Sequence, residues 1–250
     1  MIRYLLPLVF LIVTISPAAA ESTEIKPGKY VSEGDTGLLT IQKNKKNELR
    51  FEIGSVGANC HSCSVSGVII KGVGHADSED ADGKCLISFS AQKSTIVVEP
   101  TTMEECRYHC GARAYFGGSY TIPPATCTKT GRQAQRDRFL TLYRSRQYSQ
   151  AASTLEALIT QCREFMHWIE IDQVRSDLAL SQYHNREVSQ CLETLNATVA
   201  AKFENKEELE TGKEGVDVFL GPCDVDSYIK TAKTIWFNKA LCTKAKQEGK

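Results

Sequence analysis

Cys60-His61-Ser62-Cys63 and Cys106-Arg107-Tyr108-His109-Cys110 are the densest groups of reactive side chains in this chain, and their spacing suits three different chemistries. Cys60 and Cys63 stand at the separation used by thiol–disulfide oxidoreductases, in which a helix N-terminus lowers the thiolate pKa of the first cysteine. No helical pattern follows here. Cys63 leads into the strand-like SVSGVII, so the redox reading lacks the element that would activate the thiol. Cys60, His61, Cys63, Cys106, His109 and Cys110 would also supply enough nitrogen and sulfur for tetrahedral zinc. The third chemistry is plain disulfide bonding, and the redox compartment decides among the three.

The chain opens MIRYLLPLVFLIVTISPAAAES, with one positive charge at Arg3, an apolar run from Tyr4 to Ile15, and small residues ending at Ala20. This is the pattern of a bacterial-type secretory signal peptide over residues 1–20. The apolar run is short against the roughly 20 residues needed to span a bilayer, and no cysteine follows it to carry a lipid. Removing it takes one Arg and no acid, so 30 − 1 leaves 29 basic residues against 30 acidic. A near-neutral chain lacks the basic excess of a nucleic-acid partner. No later apolar run reaches membrane length, so no membrane span is expected after cleavage, and the product should be periplasmic or secreted.

Export makes disulfide bonding the expected fate of all ten cysteines, Cys60, Cys63, Cys85, Cys106, Cys110, Cys127, Cys162, Cys191, Cys223 and Cys242. Reduced thiolates survive poorly outside the cytoplasm, so zinc is not expected, and no motif calls for another metal or a cofactor. The cysteines divide as six and four around a change of texture near residue 130, which suggests that each half closes its own bridges. Cys106 and Cys110 then act as staples to different partners.

Catalytic motifs are missing. There is no Gly-x-Ser-x-Gly elbow and no HExxH pair, and His61, His75, His109, His167 and His184 are scattered. The acidic stretch DSEDADG, Asp77 to Gly83, breaks the alternation of a calcium loop and reads as a solvated turn. Asn196-Ala197-Thr198 is a formal glycosylation sequon in a helical stretch, where it carries no sugar in a bacterial chain. No residue is assigned a catalytic role, and the chain reads as a non-enzyme.

The elements follow from periodicity. GKYVS, GLLTIQ, ELRFEIGSV, SVSGVIIKGV, CLISFSA, STIVVEP and GGSYTIP alternate at period two between polar turns, which predicts an antiparallel sandwich or barrel over residues 26–128. Phe51, Ile53, Phe89, Ile96 and Val98 are assigned to its inner face. Gly28-Lys29-Tyr30 and Gly118-Ser119-Tyr120 suggest that first and last strands pair. From Arg132 glycine nearly disappears and apolar residues recur three and four apart, which predicts a helical domain over 131–246. ENKEELETGKEG, charged and weakly periodic, reads as an exposed connection with a frayed turn. The fold class is therefore α+β, a disulfide-stapled β-domain followed by an all-α domain.

FLTLYRSRQYSQAASTL and LALSQYHNREVSQCLETL align at a constant offset of 40, matching Phe139 with Ala179, Tyr143 with Tyr183, Tyr148 with Val188, Ala151 with Cys191 and Leu155 with Leu195. The first unit resembles a tetratricopeptide repeat, in which a small residue allows close packing of paired helices. Arg146 departs from that pattern where a turn glycine is common, and the offset exceeds the usual ~34 residues. The β-half is similar, in compartment, size and bonded β-architecture only, to the periplasmic inhibitors of lysozyme, small barrels that present a loop to the enzyme's cleft. The resemblance does not extend to their inhibitory motif or account for the helices.

Arg107, Tyr108, His109, Arg113, Tyr115 and Phe116 lie on or beside the segment tied at Cys106 and Cys110, and Arg and Tyr are enriched in interface hot spots. These six are the candidate protein-binding residues, with the alternative that Tyr115 and Phe116 plug the barrel. The expected function is a non-enzymatic protein-binding protein of the bacterial cell envelope, an inhibitor of lysozyme or an immunity protein against a delivered toxin. A periplasmic thiol–disulfide or other envelope enzyme is the alternative.

Helix geometry also constrains the last cysteines. Asp224 or Asp226 suits the N-cap of a helix through Tyr228, Trp236 and Ala240, which places Cys223 and Cys242 at opposite ends of it. A helix of that length spans ~25 Å, whereas disulfide Cα atoms lie within about 7 Å. Cys223 cannot bond Cys242, leaving Cys162–Cys223 with Cys191–Cys242, or Cys162–Cys242 with Cys191–Cys223. The first expected outcome concerns maturation: mass spectrometry of the purified protein should give a chain starting at Glu21, and an uncut chain in the inner membrane would contradict the export reading.

Overall fold

The computed structural model describes residues 24–77 and 84–249; the signal-peptide assignment and most of the acidic stretch, residues 78–83, lie outside them. Eight antiparallel strands form a closed barrel: β1 (Gly28–Ser32), β2 (Gly37–Lys43), β3 (Leu49–Val56), β4 (Ser62–Ile70), β5 (Val73–Ala76), β6 (Leu86–Gln92), β7 (Thr95–Pro100) and β8 (Gly118–Thr121). The strands pair in sequence order, and β8 returns to β1 with Thr121 opposite Val31 and Tyr120 opposite Ser32. The expected pairing of first and last strands is thus observed.

SVSGVIIKGV, read as one run, is two strands, β4 and the start of β5. Lys71 and Gly72 between them both take positive φ, 50° and 82°. That is the backbone of a two-residue hairpin turn whose twist matches the flanking strands.

Phe51, Ile53, Phe89, Ile96 and Val98 are all buried in the barrel, as alternation predicted. Eight strands leave an interior that side chains can fill. The Phe51 and Phe89 rings meet at 5.0 Å between centroids across that space. Gly74 makes room for them, because a Cβ there would lie 2.5 Å from the Phe89 ring.

The helical half contains α2 (Lys129–Arg144), α3 (Tyr148–Cys162), α4 (Trp168–His184), α5 (Val188–Asn196), the short α6 (Lys206–Thr211) and the long α7 (Pro222–Gln247), while α1 (Met103–Arg107) belongs to the barrel's β7–β8 connection. The 40-residue likeness has a geometric counterpart. α2 and α3 are joined through Arg146 at φ 60°, α4 and α5 through Arg186 at φ 66°. Each turn closes with equivalent bonds, Gln147 N to Leu142 O and Glu187 N to Gln182 O. The connection read as a frayed turn contains α6, capped by the Asn205 side chain, which accepts from Glu208 N at 3.0 Å.

α4 is buried on several sides between α3, α5 and α7, and its inward polar groups are satisfied. Asp172 accepts from Tyr228 Oη at 2.6 Å and Val199 N at 2.8 Å. Asn238 of α7 donates to the Ser176 carbonyl and hydroxyl.

The cysteine pairs correct the expected six-and-four division. They are Cys60–Cys223, Cys63–Cys110, Cys85–Cys106, Cys127–Cys162 and Cys191–Cys242. Cys106 and Cys110 do bond different partners, and Cys223 does not bond Cys242. Cys127, however, lies in a 3₁₀ turn (Ala125–Cys127) beyond the two prolines and packs in the helical core. It closes the open end of the α2–α3 hairpin by bonding Cys162, which excludes both pairings expected for Cys162. Each half is left with one odd cysteine, and these two join the halves.

The junction around that bridge is polar and specific. The N-cap of α7 is Gly221, not Asp224 or Asp226, and a glycine has no side chain to cap with. The capping oxygen comes instead from the barrel: Asn59 Oδ1 accepts from Cys223 N at 2.9 Å. In return Asp224, three residues past the cap, accepts from Asn59 N at 2.8 Å. A second tie is Arg132 of α2, almost fully buried, which donates to Asp35 at 2.7 Å, Glu170 at 2.9 Å and the Cys127 carbonyl at 2.8 Å.

Protease cleavage between Ile122 and Pro124 should therefore leave both fragments in one species on a non-reducing gel and separate them on reduction. Cys60→Ser should release them without reductant under denaturing conditions. Separation of the unreduced wild-type fragments would contradict the Cys60–Cys223 bridge.

Candidate functional site

The β7–β8 connection, residues 101–117, crosses one end of the barrel and is held there by two kinds of covalent and backbone tie. Cys106 in α1 bonds Cys85 just before β6, and Cys110 bonds Cys63 in β4. Around the second bridge the loop extends β4 like a short strand: Ser64 N donates to His109 O at 3.0 Å and Gly111 N to Ser62 O at 2.8 Å. Arg107 folds back onto the Ala112 carbonyl at 2.6 Å. Ser55 Oγ donates to the Tyr115 carbonyl at 3.0 Å. The β3–β4 turn presses against the far side, where a Cβ on Gly57 would lie 2.0 Å from Arg113 O, so only glycine permits that approach.

This frame sorts the six candidate residues. Tyr108 is 85% exposed and Tyr115 52% exposed, with Arg107 and Arg113 also on the surface. His109 is half-buried and contributes its carbonyl to the frame. Phe116 is 1% exposed and sits in the barrel core, where Tyr120 Oη donates to its carbonyl at 2.7 Å. Phe116 is thus the plug, and Tyr115, stacked beside it at 6.2 Å, is not. Met103, 54% exposed on α1, belongs to the same surface; its isolated position in the sequence gave no sign of this.

A notch of about 20 Å³ between Pro100, Met103, Arg107 and Tyr115 holds room for one water and no ligand. Three larger hollows lie elsewhere among the described residues, of which the one along Thr211–Phe219, about 460 Å³, is the shallow outer face of the α6–α7 connection. A second, of about 400 Å³, opens between the β1–β2 turn and Arg163, Met166 and Trp168. The third, about 230 Å³, is a groove between α2, α4 and α7 lined by Ser176, Arg136, Asp177 and Lys230, with Arg136 donating to Asp177 at 3.2 Å.

The other chemistries considered find their residues committed elsewhere. Cys60 and Cys63 bond different partners, and every thiol of the zinc candidate set is in a disulfide. No group of three or more His, Cys, Asp or Glu among the described residues is placed to hold a metal ion. Asp77 is taken up by Arg50 and Ser66. In the sequon, Asn196 is exposed, but the Thr198 hydroxyl is buried on the Leu195 carbonyl at 2.6 Å.

Asp172, Tyr228 and His167 are perturbed groups that tie elements of the helical half together. Burial pushes the Asp172 carboxyl up, and the Tyr228, Val199 and Arg175 hydrogen bonds pull it back. Burial also raises the Tyr228 phenol, with the Asp172 charge adding to it. His167 accepts from Ile169 N at 3.4 Å as the cap of α4, and burial lowers its pKa against the opposing pull of Asp35, Asp224 and Glu170. His184 closes an aromatic cluster, stacked on Tyr148 at 4.9 Å and edge-on to Tyr143 and Tyr183.

No protein-family model, curated protein or solved structure matches the chain. Replacing Cys63 and Cys110 together by Ala should cost about 2–4 kcal/mol of stability in denaturant titration. Amide exchange should accelerate at Ser64 and Gly111 while the β2–β3 ladder stays protected. Unchanged exchange at those two amides would show that the disulfide does not hold the loop.

Proposed function

We propose that this is an exported, non-enzymatic protein-binding protein of the bacterial cell envelope, and that its contact surface is the doubly stapled β7–β8 loop. One observation carries the reading. Tyr108 and Tyr115 stand exposed on a segment fixed by two disulfides and a backbone ladder, so their rings are presented without the ordering cost that a free loop would incur on binding. The hollow beside these rings, about 20 Å³, is too small for an organic ligand, which favours contact with a macromolecule over capture of a small molecule. The partner-facing residues are then Arg107, Tyr108, Arg113 and Tyr115, with His109 and Phe116 as their support.

An inhibitor of lysozyme is the specific form suggested by the resemblance of a bonded barrel presenting a loop, and an immunity protein uses the same physics. The tetratricopeptide-like hairpins α2–α3 and α4–α5 supply a helical support and a groove for a second contact. The bonding of Cys60 and Cys63 to separate partners weighs against a thiol–disulfide oxidoreductase.

Photo-crosslinking tests the surface. A benzophenone amino acid at position 108 or 115 should yield a discrete protein adduct in envelope preparations, and one at Lys46, in the β2–β3 turn at the barrel's other end, should not. Absence of an adduct at both positions would end the proposal. Titration against a c-type lysozyme tests the narrower form: inhibition should weaken by about 2 kcal/mol, roughly 30-fold, for Tyr108→Ala, and no inhibition by the wild type would exclude it.

A further inference from the structure

Four of the five disulfides have at least one cysteine in the buried core: Cys63, both Cys85 and Cys106, both Cys127 and Cys162, and both Cys191 and Cys242. Cys60–Cys223 is the exception, with Cys60 exposed and Cys223 half-buried. It is also the bridge that joins the barrel to the helices, across a sequence separation of 163. Thiol–disulfide exchange requires in-line access of a thiolate to a sulfur, and it is faster where the departing thiolate is stabilised. Both conditions favour this bridge. Cys223 is the second residue of the 26-residue α7, at the positive end of its dipole, although the neighbouring Asp224 carboxylate opposes part of that field.

We infer that Cys60–Cys223 is a thiol-exchange site, a latch between barrel and helices that a low-potential dithiol opens while the other four disulfides stay intact. The dithiol's thiolate attacks Cys60 Sγ; the new mixed disulfide forms as the Cys60–Cys223 bond breaks, and its electron pair leaves on Cys223. The second thiol of the reductant then closes on the first, releasing Cys60. The reductant ends as a disulfide, and its two protons end on Cys60 and Cys223.

The surroundings suit a latch better than a permanent staple. Among the described residues, the hydrogen bonds beneath the covalent bond are two reciprocal ones, Cys223 N to Asn59 Oδ1 and Asn59 N to Asp224 Oδ2. Asn59 and Cys60 both hold positive φ, 55° and 58°, a conformation that non-glycine residues keep only when their surroundings impose it. Freed of the bridge, this turn can relax, and α7 loses the acceptor for its first turn. Arg132 with Asp35 keeps the halves associated, so opening is local. The turn that relaxes also backs Arg113 through Gly57, which couples the latch to the proposed contact loop; that coupling rests on the binding reading, whereas the latch does not.

The oxidised mature protein, treated with dithiothreitol under native conditions and quenched with an alkylating agent at intervals, gives the test by peptide mapping. Cys60 and Cys223 should be labelled about tenfold faster than any other cysteine. Asn59→Ala should be labelled faster still. At that stage amide exchange should rise in residues 57–61 and 221–225 and stay unchanged in α2–α5. Cys60→Ser with Cys223→Ser should reproduce the exchange pattern without reductant. Labelling of another pair first, loss of all five together, or early labelling with no change in exchange would each overturn the inference. Crosslinking from position 108, compared between the oxidised protein and the double variant, reads the coupling separately.

Discussion

The N-terminus of α7 needs an acceptor that its own sequence does not provide. The first turn of a helix leaves amide donors without intrahelical partners, and at α7 the cap is Gly221, with Pro222 behind it. The barrel supplies the missing oxygen through Asn59, and the helix returns the bond through Asp224. Satisfying this one amide fixes where the longest helix meets the β-half. From there α7 organises the remainder, packing along α4 and α5 and bonding α5 through Cys191–Cys242.

Two differently built interiors result. The barrel is closed by hydrogen bonds all round and filled by aromatic and branched side chains, so its ends are the parts free to carry loops. The helical half has two separate apolar clusters, joined through α4, whose inward Asp172, Ser176 and Gln182 each find a partner. A buried polar network of this kind penalises sliding of the helices, because any shift leaves donors unpaired in a medium where that is costly.

Much of this was legible in the sequence where the signal is local. Alternation placed Phe51, Ile53, Phe89, Ile96 and Val98 inside correctly, and the 40-residue offset located two helical hairpins with matching turns at Arg146 and Arg186. What failed was what depends on distance. Lys71-Gly72 is too short a break to interrupt an apolar run by eye, although it reverses the chain. Cys127 lies before α2, the first helix of the helical half, yet belongs to the helical core, and texture alone gave it to the barrel. The cap of α7 could not be read at all, since its donor and acceptor are 164 positions apart. Of the six proposed contact residues, sequence could not separate exposed Tyr115 from buried Phe116, because the loop has no period to say which side chain faces in.

The order in which cysteines appear along the chain carries a demand on biosynthesis. A polypeptide emerging N-terminus first presents Cys60, then Cys63, then Cys85, and no two of these are partners in the finished molecule. Cys63 waits 47 residues for its partner and Cys60 waits 163. An oxidant that joins cysteines as they arrive would couple Cys60 to Cys63 and strand both Cys110 and Cys223. Reaching the native set therefore calls either for delayed oxidation until the barrel has closed, or for a catalyst that reshuffles early bridges. The yield of correctly folded protein is in this way tied to the timing of oxidation relative to barrel closure, or to the capacity of such a catalyst.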